Sequence, residues 1–251
     1  MDLETVAPED LAAGRIPGYD AFYIPNFVSV AEEEYLIQKI LSSPQSRWKT
    51  LPNRRLQIWG GEITSKGSLI TQPLPSFFTV YPDVLSRIKA TRVFENSPHK
   101  GPNHVIMNEY LPGQGIMPHE DGPQYHPVVA TLSLSSHAVF HYYQYVDENN
   151  DISKAGGKSI DKAPILSLLL EPRSLVISLG TMYTSYLHGI DPVEEDFVST
   201  DGTSKIANID SLRQETRESI QAGHPLKRGS RYSLTCRDVE RVSRLNTTFS
   251  H

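Results

Sequence analysis

The first third of the chain carries apolar residues at helical spacing in two places. Ser29 and Glu32 stand three positions apart, as in a capping box, and apolar residues follow at intervals of three and four. This pattern predicts a helix from about 30 to about 42. A second helix is predicted over 82–91, because its proline suits a first turn and the apolar residues after it share one face. We therefore expect residues 1–100 to form a helical extension.

From about residue 104 the pattern changes to short runs of β-branched and aromatic residues, separated by Gly, Pro, Asn and Asp. Such runs are typical of antiparallel sandwiches and barrels. The sequence thus predicts an α+β protein, mainly β, in which the helices come first and a β-core follows. The predicted strands are 104–110, 128–134, 138–145, 165–170, 175–179 and 232–236.

Two polar segments interrupt the predicted core. The segment 147–164 contains several Lys and Gly residues, and the segment 191–229 mixes acidic residues with a short helical pattern near 209–220. Connections of this length are usually functional loops or inserts. We interpret the whole chain of 251 residues as one domain, with its core over 101–240 and a tail over 241–251.

Composition narrows the class of protein. Hydrophobic residues make up 38% of the chain and charged residues 21%, which suits a folded globular protein. The net charge of -5 argues against coating nucleic acid non-specifically, but it leaves room for a local basic site. Cys236 is the single cysteine, which excludes an intramolecular disulfide. Without a secretory pattern or an apolar stretch of spanning length, we expect a protein of the cytoplasm and nucleus, with no membrane association.

Three residues form a candidate metal site. His119 and Asp121 lie two positions apart, so in an extended segment both face the same side. His188 follows an apolar strand and a turn, and it would complete the two-histidine, one-carboxylate set of oxygen-activating Fe(II) centres. Taken singly, the residues also fit an exposed or turn-forming His–Asp pair and a half-buried, hydrogen-bonded histidine.

The run over 231–237 alternates between polar and apolar residues. One face carries Tyr232, Leu234 and Cys236, and the other carries Arg231, Ser233, Thr235 and Arg237. An inward-facing guanidinium needs an anion, and a dicarboxylate can be held bidentately. The two arginines are roughly 20 Å apart along an extended strand, so we expect different roles for them. A surface strand with two solvated arginines is the alternative.

Two further residues of the predicted core offer hydrogen-bond donors. Asn108 and Tyr110 face one side of a strand just upstream of the candidate metal ligands, and they carry an amide and a phenol. These groups suit an oxo-acid. An ordinary polar strand face is the other interpretation.

The ordered set Asn108-x-Tyr110, His119-x-Asp121, His188 and Arg231 with Arg237 resembles the AlkB-like Fe(II)/2-oxoglutarate-dependent dioxygenases. The surrounding sequence is most similar to the sixth AlkB-homologue branch. The resemblance implies a double-stranded β-helix, or jelly roll, preceded by helices. It implies that His119, Asp121 and His188 hold iron, that Asn108, Tyr110, Arg231 and Ser233 contact 2-oxoglutarate, and that Arg237 lies near its metal-bound end. The longer gap from His188 to Arg231 and the 147–164 insert depart from the bacterial prototype.

A basic segment over 46–61 contains four cationic side chains, no acidic residue, and both Trp48 and Trp59. Phosphate contact with base stacking is one interpretation, and packing at the edge of a core is the other. By position the segment resembles the nucleotide-recognition lid of AlkB relatives, with Arg54 and Trp59 at the most comparable places. This resemblance favours a substrate role for Arg54, Trp59 and Trp48.

The resemblance implies an oxidoreductase that uses Fe(II), 2-oxoglutarate and O2. Such an enzyme converts 2-oxoglutarate to succinate and carbon dioxide while it hydroxylates a C–H bond, and a hydroxylated N-methyl group leaves as formaldehyde. We expect N-methylated RNA or DNA, presented single-stranded or as a flipped base, as the partner of a monomer. An oxygenase of proteins or small molecules, and a nucleic-acid-binding module with little turnover, remain alternatives.

Overall fold

The computed structural model describes residues 11–146, 159–198 and 205–243. Its helices are α1 (Val30–Leu41), α2 (Ser76–Thr79), α3 (Val84–Ala90), α4 (Thr181–Thr184) and α5 (Gln214–Gln221). Its strands are β1 (Ala21–Ile24), β2 (Lys49–Leu51), β3 (Arg54–Trp59), β4 (Gly61–Ile63), β5 (Ser68–Thr71), β6 (His104–Tyr110), β7 (Ile116–His119), β8 (Tyr125–Leu134), β9 (Ala138–Tyr143), β10 (Leu166–Leu170), β11 (Leu175–Leu179), β12 (Leu187–Ile190), β13 (Glu195–Asp196), β14 (Leu226–Lys227), β15 (Arg231–Val239) and β16 (Arg241–Ser243).

Two antiparallel sheets build the core. The large sheet has the order β1-β11-β8-β15-β6-β3-β2, and the small sheet has the order β10-β9-β12-β7. The sheets face each other, and a buried hydrogen bond of 2.6 Å joins Tyr142 of the small sheet to Ser178 of the large one. The predicted jelly roll in a mainly β protein is confirmed. No helix among the described residues has both the length and the apolar character needed to cross a bilayer.

β15 lies in the middle of the large sheet, between β8 and β6. Its alternation is as predicted: Tyr232, Leu234 and Cys236 belong to the core cluster that also contains residues of α1, α2 and α3. The polar residues of β15 face the other way, toward the small sheet. One strand therefore supplies both the packing of the helices and the lining of the inter-sheet space.

The two predicted N-terminal helices are confirmed as α1 and α3. Ser29 caps α1 in a full capping box, because its hydroxyl accepts from the Glu32 amide while the Glu32 carboxylate accepts from the Ser29 amide. Leu36 and Ile40 of α1 are fully buried against the large sheet. The helices thus form the scaffold on its outer face.

The prediction that residues 1–100 are a helical extension was incomplete, because β1 to β5 also lie there. β1 pairs with β11, and β3 pairs with β6, so both belong to the large sheet. β4 and β5 form a separate three-stranded sheet with β16. These strands are short, and β1, β3 and β5 each have a partner far away in the sequence, so local periodicity did not reveal them.

The predicted strands 104–110 and 175–179 are found with the predicted ends, the other predicted core strands have shifted ends, and several short strands were missed. β8 begins at Tyr125 rather than 128, β9 ends at Tyr143 rather than 145, and β15 extends to Val239. β7 and β12, at four residues each, were not predicted. They carry His119 and His188, which makes them central to the site.

The two inserts differ in how much of them is described. In the predicted segment 147–164, residues 147–158 lie outside the described residues, as do 199–204 of the segment 191–229 and 244–251 of the tail. The helix predicted near 209–220 is confirmed as α5, which begins later than expected. The buried carboxylate of Glu171 anchors this insert by accepting hydrogen bonds from Arg213 and Thr216.

Candidate active site between the two sheets

A cavity of about 280 Å³ lies between the two sheets. The large sheet contributes inward-facing residues of β3, β6, β8, β11 and β15, while the small sheet contributes β7, β9 and β12. Every residue predicted to hold iron or 2-oxoglutarate lines this cavity, namely Asn108, Tyr110, His119, Asp121, His188, Arg231, Ser233 and Arg237. The structure therefore brings together groups that span more than half of the sequence.

The candidate metal ligands converge at one end of the small sheet. His188 of β12 stands directly opposite His119 of β7, and their ring centroids are 4.3 Å apart. Asp121 follows two residues after His119. One donor atom from each of the three residues lies within 4.8 Å of the others. Two imidazoles and a carboxylate on one side of a space suit a divalent first-row metal with open positions opposite.

The histidines are in the form that a metal requires. Nδ1 of His119 lies 2.9 Å from the carbonyl oxygen of Met117, and a carbonyl only accepts, so Nδ1 carries the proton and Nε2 is left to bind metal. Burial lowers the pKa of His119, and it lowers the pKa of His188 to about 4. Both rings are therefore neutral at pH 7.

Arg237 holds the third ligand in place. Its guanidinium makes a two-point ion pair with Asp121, in which Nε donates to Oδ2 at 2.9 Å and Nη2 donates to Oδ1. Burial opposes ionisation of Asp121, but the charge and hydrogen bonds of Arg237, together with the neighbouring His188 and His119, outweigh it and keep the pKa of this carboxyl below its usual value. Asp121 is thus an oriented anion, and each oxygen retains a lone pair for a metal.

Arg231 is a buried cation that makes no ion pair with any described residue. Its Nη2 donates to Ser133 Oγ at 2.8 Å, whereas Nε is buried and has no hydrogen-bond partner among the described residues. Burial lowers the pKa of Arg231 to about 10, so the side chain still carries its charge at pH 7. A buried guanidinium with a free donor fits a carboxylate. The residues present therefore fit a metal at one end of the cavity and a dicarboxylate at the other.

The remaining predicted co-substrate residues surround Arg231. Tyr110 stands opposite it in the β15–β6 register, and the guanidinium carbon lies 5.8 Å from the phenol ring centroid. Burial raises the pKa of Tyr110, so its hydroxyl remains a donor. Ser233 pairs with Asn108 across the same two strands. The two arginines of β15 make different contacts, Arg231 with Ser133 and Arg237 with Asp121, and their different roles stay a prediction.

The residues predicted to contact substrate are not all in one place. Arg54 lines the cavity, but the structure does not bring Trp48 or Trp59 to it. Both tryptophans pack against the core cluster on the helical side of the large sheet, and Trp59 makes edge contacts with Phe77 and Phe78. For Trp48 and Trp59 the structure favours the packing interpretation over base stacking in the cavity, because Trp59 lies on the face of β3 opposite Arg54 and Trp48 packs on the same side just before β2.

Sequence reasoning missed several residues of the site. Ser133, the acceptor for Arg231, lies in a predicted strand, and Thr131 two positions earlier lines the same cavity. Phe140 stacks on His188 with ring centroids 5.4 Å apart. The alternation of polar residues in the predicted strand 128–134 was a usable signal for Ser133. Phe140 had none, since an aromatic residue in a strand is most often core.

Comparison with known proteins agrees with this geometry. Residues 20–237 match the 2OG-Fe(II) oxygenase superfamily. The chain is 39% identical over 225 residues to the probable RNA/DNA demethylase ALKBH6 of Danio rerio, with 90% of this chain and 88% of the relative covered. It is 30% identical over 204 residues to the alkylated DNA repair protein ALKBH8 homolog of Arabidopsis thaliana, where the match covers 73% of this chain and 55% of the relative.

A solved structure supports the fold. The structure of OsALKBH1 superposes with a TM-score of 0.52 at 16% identity, covering 89% of this chain and all of that one. The enzymes of the matched superfamily use Fe(II), 2-oxoglutarate and O2, and the ligand set of the cavity fits them. The chain therefore belongs to the 2OG-Fe(II) oxygenase superfamily, as an AlkB-like oxidoreductase of the sixth-homologue branch.

Proposed function

We propose that this oxygenase oxidatively demethylates N-methylated nucleic acid, releasing succinate, carbon dioxide and formaldehyde. The cavity supports the oxidative half of the reaction, because the candidate metal triad and a buried arginine, whose Nε has no partner among the described residues, face the same space. The nucleic-acid half is supported by similarity to a relative named as a probable RNA/DNA demethylase.

Each residue has a definite task in this reaction. His119, Asp121 and His188 would hold Fe(II), which with 2-oxoglutarate and O2 supplies the oxidation of a C–H bond. Arg237 orients Asp121. Arg231, with Tyr110 beside it, binds the carboxylate of 2-oxoglutarate remote from the metal and so fixes the direction in which the co-substrate enters.

The shape of the site bears on how a substrate reaches it. The reacting groups lie between two sheets, whereas a methyl group on a paired base lies inside a duplex. A base must therefore leave the stack, or come from a single strand, to enter. We accordingly propose a single-stranded or flipped-base substrate, acted on by a monomer located in the cytoplasm and nucleus.

The proposal is tested by following Fe(II)-dependent succinate formation by the purified protein, alone and with oligonucleotides that carry single N-methylated bases. We expect one class of methylated oligonucleotide to stimulate turnover and to yield formaldehyde in equal amount. His119→Ala and Arg231→Ala should each lower turnover at least about 100-fold, because each removes a group that binds iron or co-substrate. His224→Ala and Arg92→Ala, at exposed positions, are the matched controls.

The outcomes separate the candidate functions. Turnover that no nucleic acid stimulates, but that a protein or small molecule does, would replace the substrate class and keep the oxygenase. Oligonucleotide binding without succinate formation, in fully iron-loaded protein with reductant, would instead indicate a binding module. Either result would refute nucleic-acid demethylation.

A further inference from the structure

Two adjacent arginines on β3 serve opposite faces of the large sheet. Arg55 points to the helical side, where its Nη2 donates to Glu109 Oε1 at 2.8 Å and its guanidinium lies 3.9 Å from the ring centroid of Trp48. Arg54 points to the other side and lines the cavity. The two neighbouring guanidinium groups therefore lie in different environments, and a substitution of Arg55 can serve as a control for a substitution of Arg54.

Arg54 makes a specific contact with Asn108. Its Nε donates to Asn108 Oδ1 at 3.1 Å, and Asn108 is buried, with 8% of its surface exposed. A guanidinium has donors only, whereas a carboxamide has an acceptor end and a donor end. The contact therefore fixes which end of the Asn108 amide faces Arg54, and it leaves Nδ2 turned away.

The donor end of this amide is available to a ligand. Asn108 lines the cavity beside Tyr110, Arg231 and Ser233, and within the described ranges its Nδ2 donates no hydrogen bond to another residue. The oxygens of an oxo-acid can only accept. If the amide were reversed, Oδ1 would meet those oxygens and repel them, so the orientation of Asn108 decides whether it helps or opposes binding.

We propose that Arg54 is a positioning residue for the co-substrate, which locks the Asn108 amide so that Nδ2 faces an oxygen of 2-oxoglutarate. This role rests on the co-substrate site proposed above, and it differs from the direct substrate contact that the sequence suggested for Arg54. It also links the β2–β3 hairpin to the co-substrate. A hairpin that moves would release the amide and weaken 2-oxoglutarate binding.

The experiment measures 2-oxoglutarate affinity by calorimetry in Mn(II)-loaded protein, without nucleic acid. Arg54→Ala should raise the Kd of 2-oxoglutarate roughly five- to tenfold, the effect of about one hydrogen bond. Arg54→Lys, which keeps a donor, should restore part of the affinity. Arg55→Gln is the matched control, and its Kd for 2-oxoglutarate should equal that of the wild type.

A double substitution tests the positioning role itself. Asn108→Ala alone should raise the Kd of 2-oxoglutarate, and adding Arg54→Ala should raise it no further, because Arg54 acts only through Asn108. In turnover, Arg54→Ala should raise the KM for 2-oxoglutarate with little change in kcat. The Kd of Mn(II) and the unliganded thermal midpoint of each variant report whether the site and the fold are intact.

Three results would overturn the proposal. An unchanged Kd of 2-oxoglutarate in Arg54→Ala would do so. A Kd that Arg54→Ala raises as much in the Asn108→Ala background as in the wild type would also do so. Weaker binding of an oligonucleotide with unchanged 2-oxoglutarate affinity would return Arg54 to direct substrate contact. None of these refutes the proposed function, which fails instead if no methylated oligonucleotide stimulates succinate formation by the wild type.

Discussion

At the scale of single residues, the burial of His104 next to the site makes the stability of the fold depend on pH. The ring is buried at the start of β6, and its Nδ1 has no hydrogen-bond partner among the described residues. Burial, together with the positive charge of Arg237, lowers the pKa of His104 to about 4. The folded protein therefore holds this imidazole neutral over a range in which the unfolded chain protonates it.

Acid should consequently destabilise the protein through His104. The unfolded side chain titrates near pH 6.5, so the stabilising effect is complete above about pH 7, declines from there, and is lost by about pH 4. Between pH 7.5 and pH 5.0 the wild type should lose about 2 kcal/mol more free energy of unfolding than His104→Gln. Urea unfolding of chelator-treated protein measures both. Equal losses in the two proteins would contradict this assignment.

At the scale of elements, the alternation of side chains along a strand predicted which residues share a face, but it did not always predict which face lines the cavity. In β15 the choice was clear, because Leu234 and Cys236 have to be buried and Arg231 then faces the other side. In β3, Arg54 and Arg55 are chemically alike, so alternation did not decide which one enters the cavity, and only the family resemblance favoured Arg54. The pairing of β3 with β6, which lies about 50 residues away in the sequence, determines that Arg54 is the one that faces the cavity. Trp59 was misplaced for the same reason.

Gly115 controls how closely β7 approaches β12. A Cβ at this position would lie 2.2 Å from the carbonyl oxygen of Ile190, so the two strands must separate to admit one. Since His119 and His188 are carried by these strands, Gly115→Ala should lower the affinity for Mn(II) by about tenfold or more, as measured by calorimetry. Gly101→Ala is the control, because its Cβ meets only ordinary contacts from Lys89. Wild-type affinity in Gly115→Ala would refute this account.

At the scale of the whole molecule, the two sheets divide the binding groups. The small sheet carries the candidate metal ligands His119 and His188, while the large sheet supplies Arg231 and the Arg237 that orients Asp121. The mainly β core and the arginine strand were predictable from local patterns, whereas the jelly roll and the grouping of His188 with His119 and Asp121 came from the family resemblance. The pairing of β1 and β3 into the large sheet was not predictable, because it depends on distant strands.

2-Oxoglutarate bound to both sheets should therefore stabilise the whole fold. In wild type, Mn(II) should raise the thermal midpoint, and 2-oxoglutarate at 100 times its Kd should add about 2.7 kcal/mol of stability. Arg231→Ala should keep the increment from Mn(II) and lose the one from 2-oxoglutarate. Scanning calorimetry with each ligand alone and with both measures these increments, with Arg92→Ala as the control. An equal 2-oxoglutarate increment in Arg231→Ala would show that the carboxylate is bound elsewhere.

The strand that carries His119 is the last strand of the small sheet, and within that sheet β7 pairs only with β12. Edge strands open more readily than central ones, so a fraction of the molecules have β7 detached at any moment. Those molecules lack one metal ligand, and the observed affinity for iron falls in proportion to their number. Iron retention thus depends on the local opening equilibrium of one four-residue strand as well as on the chemistry of its three ligands.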